Sequence, residues 1–93
     1  MLADLLWTVT AYCQGEITKA GTRPVAGHTV AADPVFLPIG SLVEVDGWPG
    51  LRQVHDTGPL VKGRHLDIYV DSCREAVKWG RQKRQVTIRR RAK

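Results

Sequence analysis

Ninety-three residues, 43% apolar and 25% charged, describe one small globular domain near the lower size at which a chain builds its own core. No run approaches the ~18 apolar residues of a membrane span. The opening "MLADLLWTVTAYC" has no basic n-region and its apolar run breaks at Asp4, so it does not read as a secretory signal. The net charge of +5 is uneven: from Arg74 onward nine Lys/Arg face Glu75 alone, which leaves −3 on the first 73 residues. A basic C-terminal end, about 81–93, suits an anionic polymer such as nucleic acid, teichoic acid or acidic wall glycan, or else a solubilising tail. "RRRAK" carries no base-reading motif and no interleaved aromatic residue, which disfavours nucleic acid.

In chain order, Leu5–Cys13 alternates between two faces over nine residues, a strand long enough to be central. "GEITKAGTRPVAGH" is a Gly/Thr/Pro-rich loop, and "TVAADP" a short strand stopped by Pro34. "PVFLPIGS" is a proline-bracketed turn that feeds the strand "SLVEVDG", ended at Asp46-Gly47. "LRQVHD" and "RHLDIYV" supply two more strands. In "DSCREAVKWG", Ser72 with Glu75 three residues on is a capping box, and Gly80 a natural C-cap. Cys73, Ala76, Val77 and Gly80 recur at helical spacing along Ser72–Trp79. "RQVTIRR" closes as a last strand. Six strands and one short helix, without repeat or linker, make residues 1–93 a single mainly-β domain. A closed barrel is the economical arrangement, because closure removes unpaired edges.

The chemistry-bearing stretch is "HDTGPLVKGRHLDIYVD". Leu66, Ile68 and Val70 share one strand face; Asp67, Tyr69 and Asp71 share the other. Aspartate is disfavoured inside strands, so Asp67 marks either a solvated face, a loop tie or an acid catalyst. His55 and Asp56 are strand neighbours that should point to opposite faces, which argues against a shared site. His28 and His65 lack ligand spacing, and Cys13 and Cys73 match no metal pattern, so neither metal nor cofactor is expected. The two cysteines are either a disulfide, if the protein is exported, or two buried thiols.

The succession "TAYC", "TKAGTRPVAGHTVAADP", "LPIGSLVEVDG", "VHDTGPLVKGRHLDIYVDS", "AVKWGRQKRQVTI" resembles the 3D (three-aspartate) domain over nearly the whole chain. That family occurs in membrane-bound lytic transglycosylase A, in stationary-phase survival proteins of spore formers and in phage or cell-wall proteins. The resemblance implies a six-stranded double-psi β-barrel crossed by a substrate groove. Its aspartates fall on Asp33, Asp56 and Asp67, and the general acid/base on Asp67. The loop that the family usually writes Thr-Ala-Ser-Gly reads Thr18-Lys19-Ala20-Gly21 here, without its serine. Substrate contacts are then expected at Tyr12, Thr18, Gly21, Thr57, Lys62 and Tyr69.

The implied reaction is cleavage of the β-1,4 bond between N-acetylmuramic acid and N-acetylglucosamine in peptidoglycan. The muramic 6-hydroxyl is the nucleophile, so one carboxyl serves as acid and then as base. Its pKa must rise, and crowding by Asp33 and Asp56 is the expected cause, with the charges of Lys62 and Arg64 pointing toward substrate or solvent. Two other functions remain open. One is a hydrolase of the barwin-like endoglucanase type, whose paired carboxyls would seat a water. The other is a non-catalytic module that binds wall polysaccharide, helped by its basic end. Each places the protein outside the cytoplasm, at a cell wall or with a phage.

Overall fold

A computed structural model describes residues 6–15 and 17–93. Leu5 at the head of the expected first strand, and Glu16 in the loop after it, lie outside the described residues. Six strands appear: β1 Leu6–Tyr12, β2 Thr29–Ala32, β3 Leu42–Val45, β4 Trp48–Asp56, β5 His65–Tyr69 and β6 Gln82–Arg90. A single helix among the described residues, α1 Cys73–Trp79, lies between β5 and β6. The strands close in the order β1-β5-β2-β4-β3-β6. Two pairs are parallel, β1 with β5 and β2 with β4, and the rest antiparallel, which is the double-psi barrel.

Most strands form because apolar residues facing inward alternate with more polar ones facing outward, whereas β2 is buried along its whole length. Every strand sends at least one fully buried side chain to the axis: Val9, Val30, Val43, Val54, Leu66 with Ile68, and Val86. β-branched residues dominate, as suits a pleated surface packed on one side. Leu37, from the turn after β2, completes the plug.

β4 starts three residues earlier than expected, at Trp48. Pro49 and Gly50 read as breakers, yet the two-residue turn at Asp46-Gly47 pairs Trp48 with Val45 and carries the strand through them. Ser72 caps α1 by accepting from Glu75 N at 3.3 Å, and Gly80 ends it at φ +70°. Of the residues expected on the packed face, Ala76 makes the contact while Val77 is 82% exposed, and Trp79 packs in its place. The helix is seven residues long and none of its side chains is buried. A disulfide between Cys13 and Cys73 joins its first residue to the end of β1.

The basic end is not a free tail. β6 runs to Arg90, which pairs with Leu42. Arg91 donates to the carbonyls of Phe36 and Val35, and Ala92 N donates to the fully buried Ser41 hydroxyl at 2.9 Å. Arg89 pairs with Glu44 at 3.0 Å across an exposed surface. Removal of residues 89–93, harmless to folding for a tail, is therefore expected to destabilise the barrel. The orphaned Ser41 hydroxyl alone costs ~1–3 kcal/mol. A melting temperature within ~3 °C of the parent would contradict this.

Candidate functional site

Strand register assembles the site. On the outer surface Thr10 of β1 lies opposite Asp67 of β5, Asp67 opposite Ala31 of β2, and Ala31 opposite Asp56 of β4. Strands about 4.8 Å apart put the Asp67 and Asp56 backbones about 10 Å from one another, with Ala31 between. Alanine at that point puts no long side chain of its own between the two carboxylates, although at 4% exposure it is covered by its neighbours.

Asp56 reaches this row through an irregularity. Val54 faces the core, so strict alternation would send Asp56 inward as well. The β2–β4 register shifts between Val30 and Ala31, and Asp56 then stands opposite the outward Ala31. Its Oδ1 accepts from Lys19 N at 3.1 Å and from Thr57 N at 3.0 Å, which brings the 17–22 loop to the groove edge. Ala20 N adds a bond to the His55 carbonyl.

Asp67 is half-buried and alternates with the core residues Leu66 and Ile68. Its Oδ1 accepts from the Thr10 hydroxyl at 2.9 Å, and Thr10 Oγ1 lies 2.8 Å from His65 Nε2. A hydroxyl has one proton to give. With that proton on Asp67, Thr10 must accept from His65, which fixes the hydrogen on Nε2. Burial pushes the Asp67 pKa up; the Thr10 bond and His65 oppose this, and Asp56 adds a smaller push upward. Desolvation, not the expected crowding of carboxylates, is thus the main cause. Asp33 is absent among the causes.

Asp33 has a different task. It is 7% exposed, and each oxygen accepts a backbone hydrogen bond, from Val35 N at 3.0 Å and from Gly63 N at 2.8 Å. These bonds, first Gly63 and then Val35, hold its pKa below the ordinary carboxylate value, with Lys62 contributing in the same direction. Asp33 ties the turn after β2 to the loop that joins β4 to β5. Because its folded pKa is depressed, the stability it adds is present above pH ~4 and is lost as pH falls. Asp33→Asn should lower the melting temperature at pH 7, and the gap to the parent should close at acid pH. An unchanged gap across that range would dismiss the tie.

Tyr12 and Tyr69, opposite one another on β1 and β5, pack edge to face with centroids 5.3 Å apart. Tyr12 Oη is buried without a hydrogen-bond partner, and its pKa is pushed far up, by burial first and then by Asp56 and Asp67. The phenol therefore keeps its proton in the field of both carboxylates. Thr18 is buried with its hydroxyl 3.0 Å from that of Thr22, so it staples its loop. Gly21 turns that loop at φ +85°, Thr57 braces Asp56, and Lys62 stands exposed in the β4–β5 loop. His55 bonds to Thr29 and Gln53, with burial lowering its pKa. No cluster of three metal-ligating side chains occurs among the described residues. Thr10 and His65 were missed in the sequence. The signal was there in His65-x-Asp67, which puts both side chains on one strand face.

The likeness to known proteins agrees with the fold. The chain is 33% identical over 85 residues to "Cell wall-binding protein YocH" of Bacillus subtilis, covering 83% of this chain and 29% of that protein. It is 34% identical over 59 residues to "Putative cell wall shaping protein YabE" of the same organism, covering 63% of this chain and 14% of that one. The chain thus spans under a third of either relative. Among solved structures, MltA from E. coli superposes with a TM-score of 0.64 at 24% identity, over 82% of this chain and 28% of that one. A second MltA structure gives 0.66 at 22%, over 83% and 28%. At such identities the likeness concerns the barrel. The 3D domain profile itself matches residues 28–90, from the head of β2 to the last residue of β6, and so the chain belongs to the 3D domain family.

Proposed function

We propose that this domain cleaves peptidoglycan as a lytic transglycosylase, with Asp67 as the single general acid and base. One observation carries the reading: a half-buried carboxyl on an outer strand face, its pKa raised chiefly by desolvation, two strands from a second carboxylate. A raised pKa lets Asp67 keep a proton toward neutral pH and give it to the glycosidic oxygen. As carboxylate it then takes the proton from the muramic 6-hydroxyl as that oxygen bonds to the anomeric carbon, leaving a 1,6-anhydro end. Thr10, backed by His65, fixes Asp67 Oδ1 and leaves Oδ2 to the substrate. Tyr12 keeps a buried, protonated phenol in the field of both carboxylates, and Tyr69 supports its ring. Asp56 orders the 17–22 loop and contributes negative charge near the developing oxocarbenium ion.

The hydrolytic alternative needs a second carboxyl to act on water or on the sugar. Asp33, with both oxygens held by backbone donors, is poorly suited to it, so only Asp56 remains. A binding-only role is favoured by one observation, the names of the two Bacillus relatives, which speak of binding and shaping the wall. In every version the partner is wall polysaccharide and the location extracytoplasmic. Digestion of purified peptidoglycan followed by mass spectrometry separates the three. Anhydro-muramyl fragments support the transglycosylase, reducing ends the hydrolase, and intact sacculi with bound protein the binding module.

A further inference from the structure

At the far end of β4 from Asp56, Trp48 meets Trp79, the last residue of α1, with ring centroids 4.9 Å apart and planes at 59°. Both rings are clamped. Trp79 Nε1 donates to the Val9 carbonyl at 2.9 Å, and the Arg84 guanidinium lies 5.0 Å from its centroid. Gly47 lets the β3–β4 turn press against it: a Cβ there would sit 3.0 Å from Trp79 Cη2, and φ is +95°. Arg52, 5% exposed, lies 5.6 Å from the Trp48 centroid. Trp48 Nε1 and Arg52 Nε and Nη1 are buried and make no hydrogen bond. Buried polar groups are nearly always paired, so this ring is held in place at a cost that packing alone does not require.

Trp48 divides two hollows. One, of about 290 Å³, is lined by Trp48, Trp79, Glu75, Lys78 and Gln82. The other, of about 270 Å³, has Trp48, Pro49, Glu44 and Asp46 in its wall. Their charge identifies the ligand. Glu44 is neutralised by Arg89 and Asp46 by Arg84, while Glu75 and Lys78 carry opposite signs. A chain of net charge +5 thus keeps these hollows close to neutral. Arg52 is the cation left without a carboxylate, and at 5% exposure it is buried, so an anionic polymer finds no exposed surplus of cations here. An apolar peptide would leave the carboxylates facing carbon, at the cost of their desolvation. A pyranose ring satisfies both demands, its C–H face against an indole and its hydroxyls toward the carboxylates.

We propose that Trp48 and Trp79 form a second glycan-binding site, seating successive neutral sugar rings of one strand on either side of Trp48. The site lies apart from Asp67 and would hold the domain on its polymer whether or not cleavage occurs. The test is nuclear magnetic resonance titration of Asp67→Asn protein with a hexamer of β-1,4-linked N-acetylglucosamine. The indole N–H signals of Trp48 and Trp79 should shift and saturate, while that of Trp7, 4% exposed in the core, stays put. Trp48→Ala should weaken binding about five- to tenfold, the worth of one stacked ring. Affinity should hold between low and high salt. Stationary Trp48 and Trp79 signals, an affinity that collapses with salt, or a folded Trp48→Ala that binds like the parent would each overturn the proposal. Should Trp48→Ala not fold, the indole shifts of the other protein decide. Indole shifts without peptidoglycan cleavage by the parent would sink the transglycosylase reading and leave this one standing.

Discussion

Asp67→Asn is expected to abolish release of fragments from peptidoglycan and, at neutral pH, to raise rather than lower the melting temperature. The amide is nearly isosteric, so Leu66 and Ile68 keep their places, and its oxygen still accepts from the Thr10 hydroxyl. It neither gives a proton to the glycosidic oxygen nor takes one from the 6-hydroxyl. General acid–base groups contribute ~10²–10⁴-fold, and here one group performs both transfers, so the loss should reach the upper figure. The stability change follows from linkage. Burial raises the folded pKa of Asp67, so the native state holds its proton more tightly than the unfolded chain does. The contribution of this group is therefore intact below the unfolded value of ~3.9 and declines as pH rises through the folded value. Asparagine carries no such proton, so the variant gains on the parent as pH climbs from 4 to 7. Asp56→Asn should move the acid limb of the rate profile only slightly, because Asp56 is the smallest of the causes acting on Asp67. A folded Asp67→Asn protein that still releases anhydro fragments at the parental rate would end the catalytic assignment.

The faces of the barrel were legible because alternation is a local property: Leu66, Ile68 and Val70 went inward, and Asp67 and Tyr69 outward, as their spacing required. Asp56 was legible only through the resemblance, since alternation from Val54 aims it at the core and the register shift that rescues it depends on β2. The tie that Asp33 makes was not legible for a related reason. Its partners Val35 and Gly63 are backbone groups, one of them 30 positions away, and backbone donors leave no mark on sequence. Residues 89–93 read as a tail because charge dominates "RRRAK", whereas the bonds from Arg91 and Ala92 run to carbonyls and a hydroxyl more than 50 positions earlier. Closure was legible from six short strands whose edges would otherwise stay unpaired, whereas the double-psi pairing order, a set of contacts between distant strands, came from the family likeness.

Loss of the Cys13–Cys73 bond should be the largest single blow to stability. The two cysteines are 60 positions apart, and a cross-link of that span restricts the unfolded chain by about 4 kcal/mol in the chain-entropy account. A domain of this size has only ~5–14 kcal/mol of net stability, so the bond supplies a large share of it. At ~4–8 °C per kcal/mol, reduction or a Cys13→Ala, Cys73→Ala pair should lower the melting temperature by roughly 15–30 °C. The native side points the same way. α1 buries none of its side chains, and it is held by Trp79, Ala76 and this link to the end of β1. Thermal unfolding with and without reductant measures the effect, and a shift under ~5 °C would mean that the unfolded chain is already constrained without the bond. The groove should respond differently from the melting temperature. Thr10, Asp67 and Asp56 are positioned by β1, β5, β2 and β4, whose pairing does not pass through α1, so reduced protein kept cold enough to stay folded should retain its rate on peptidoglycan. A domain with that profile is most stable where disulfides persist, in oxidising surroundings.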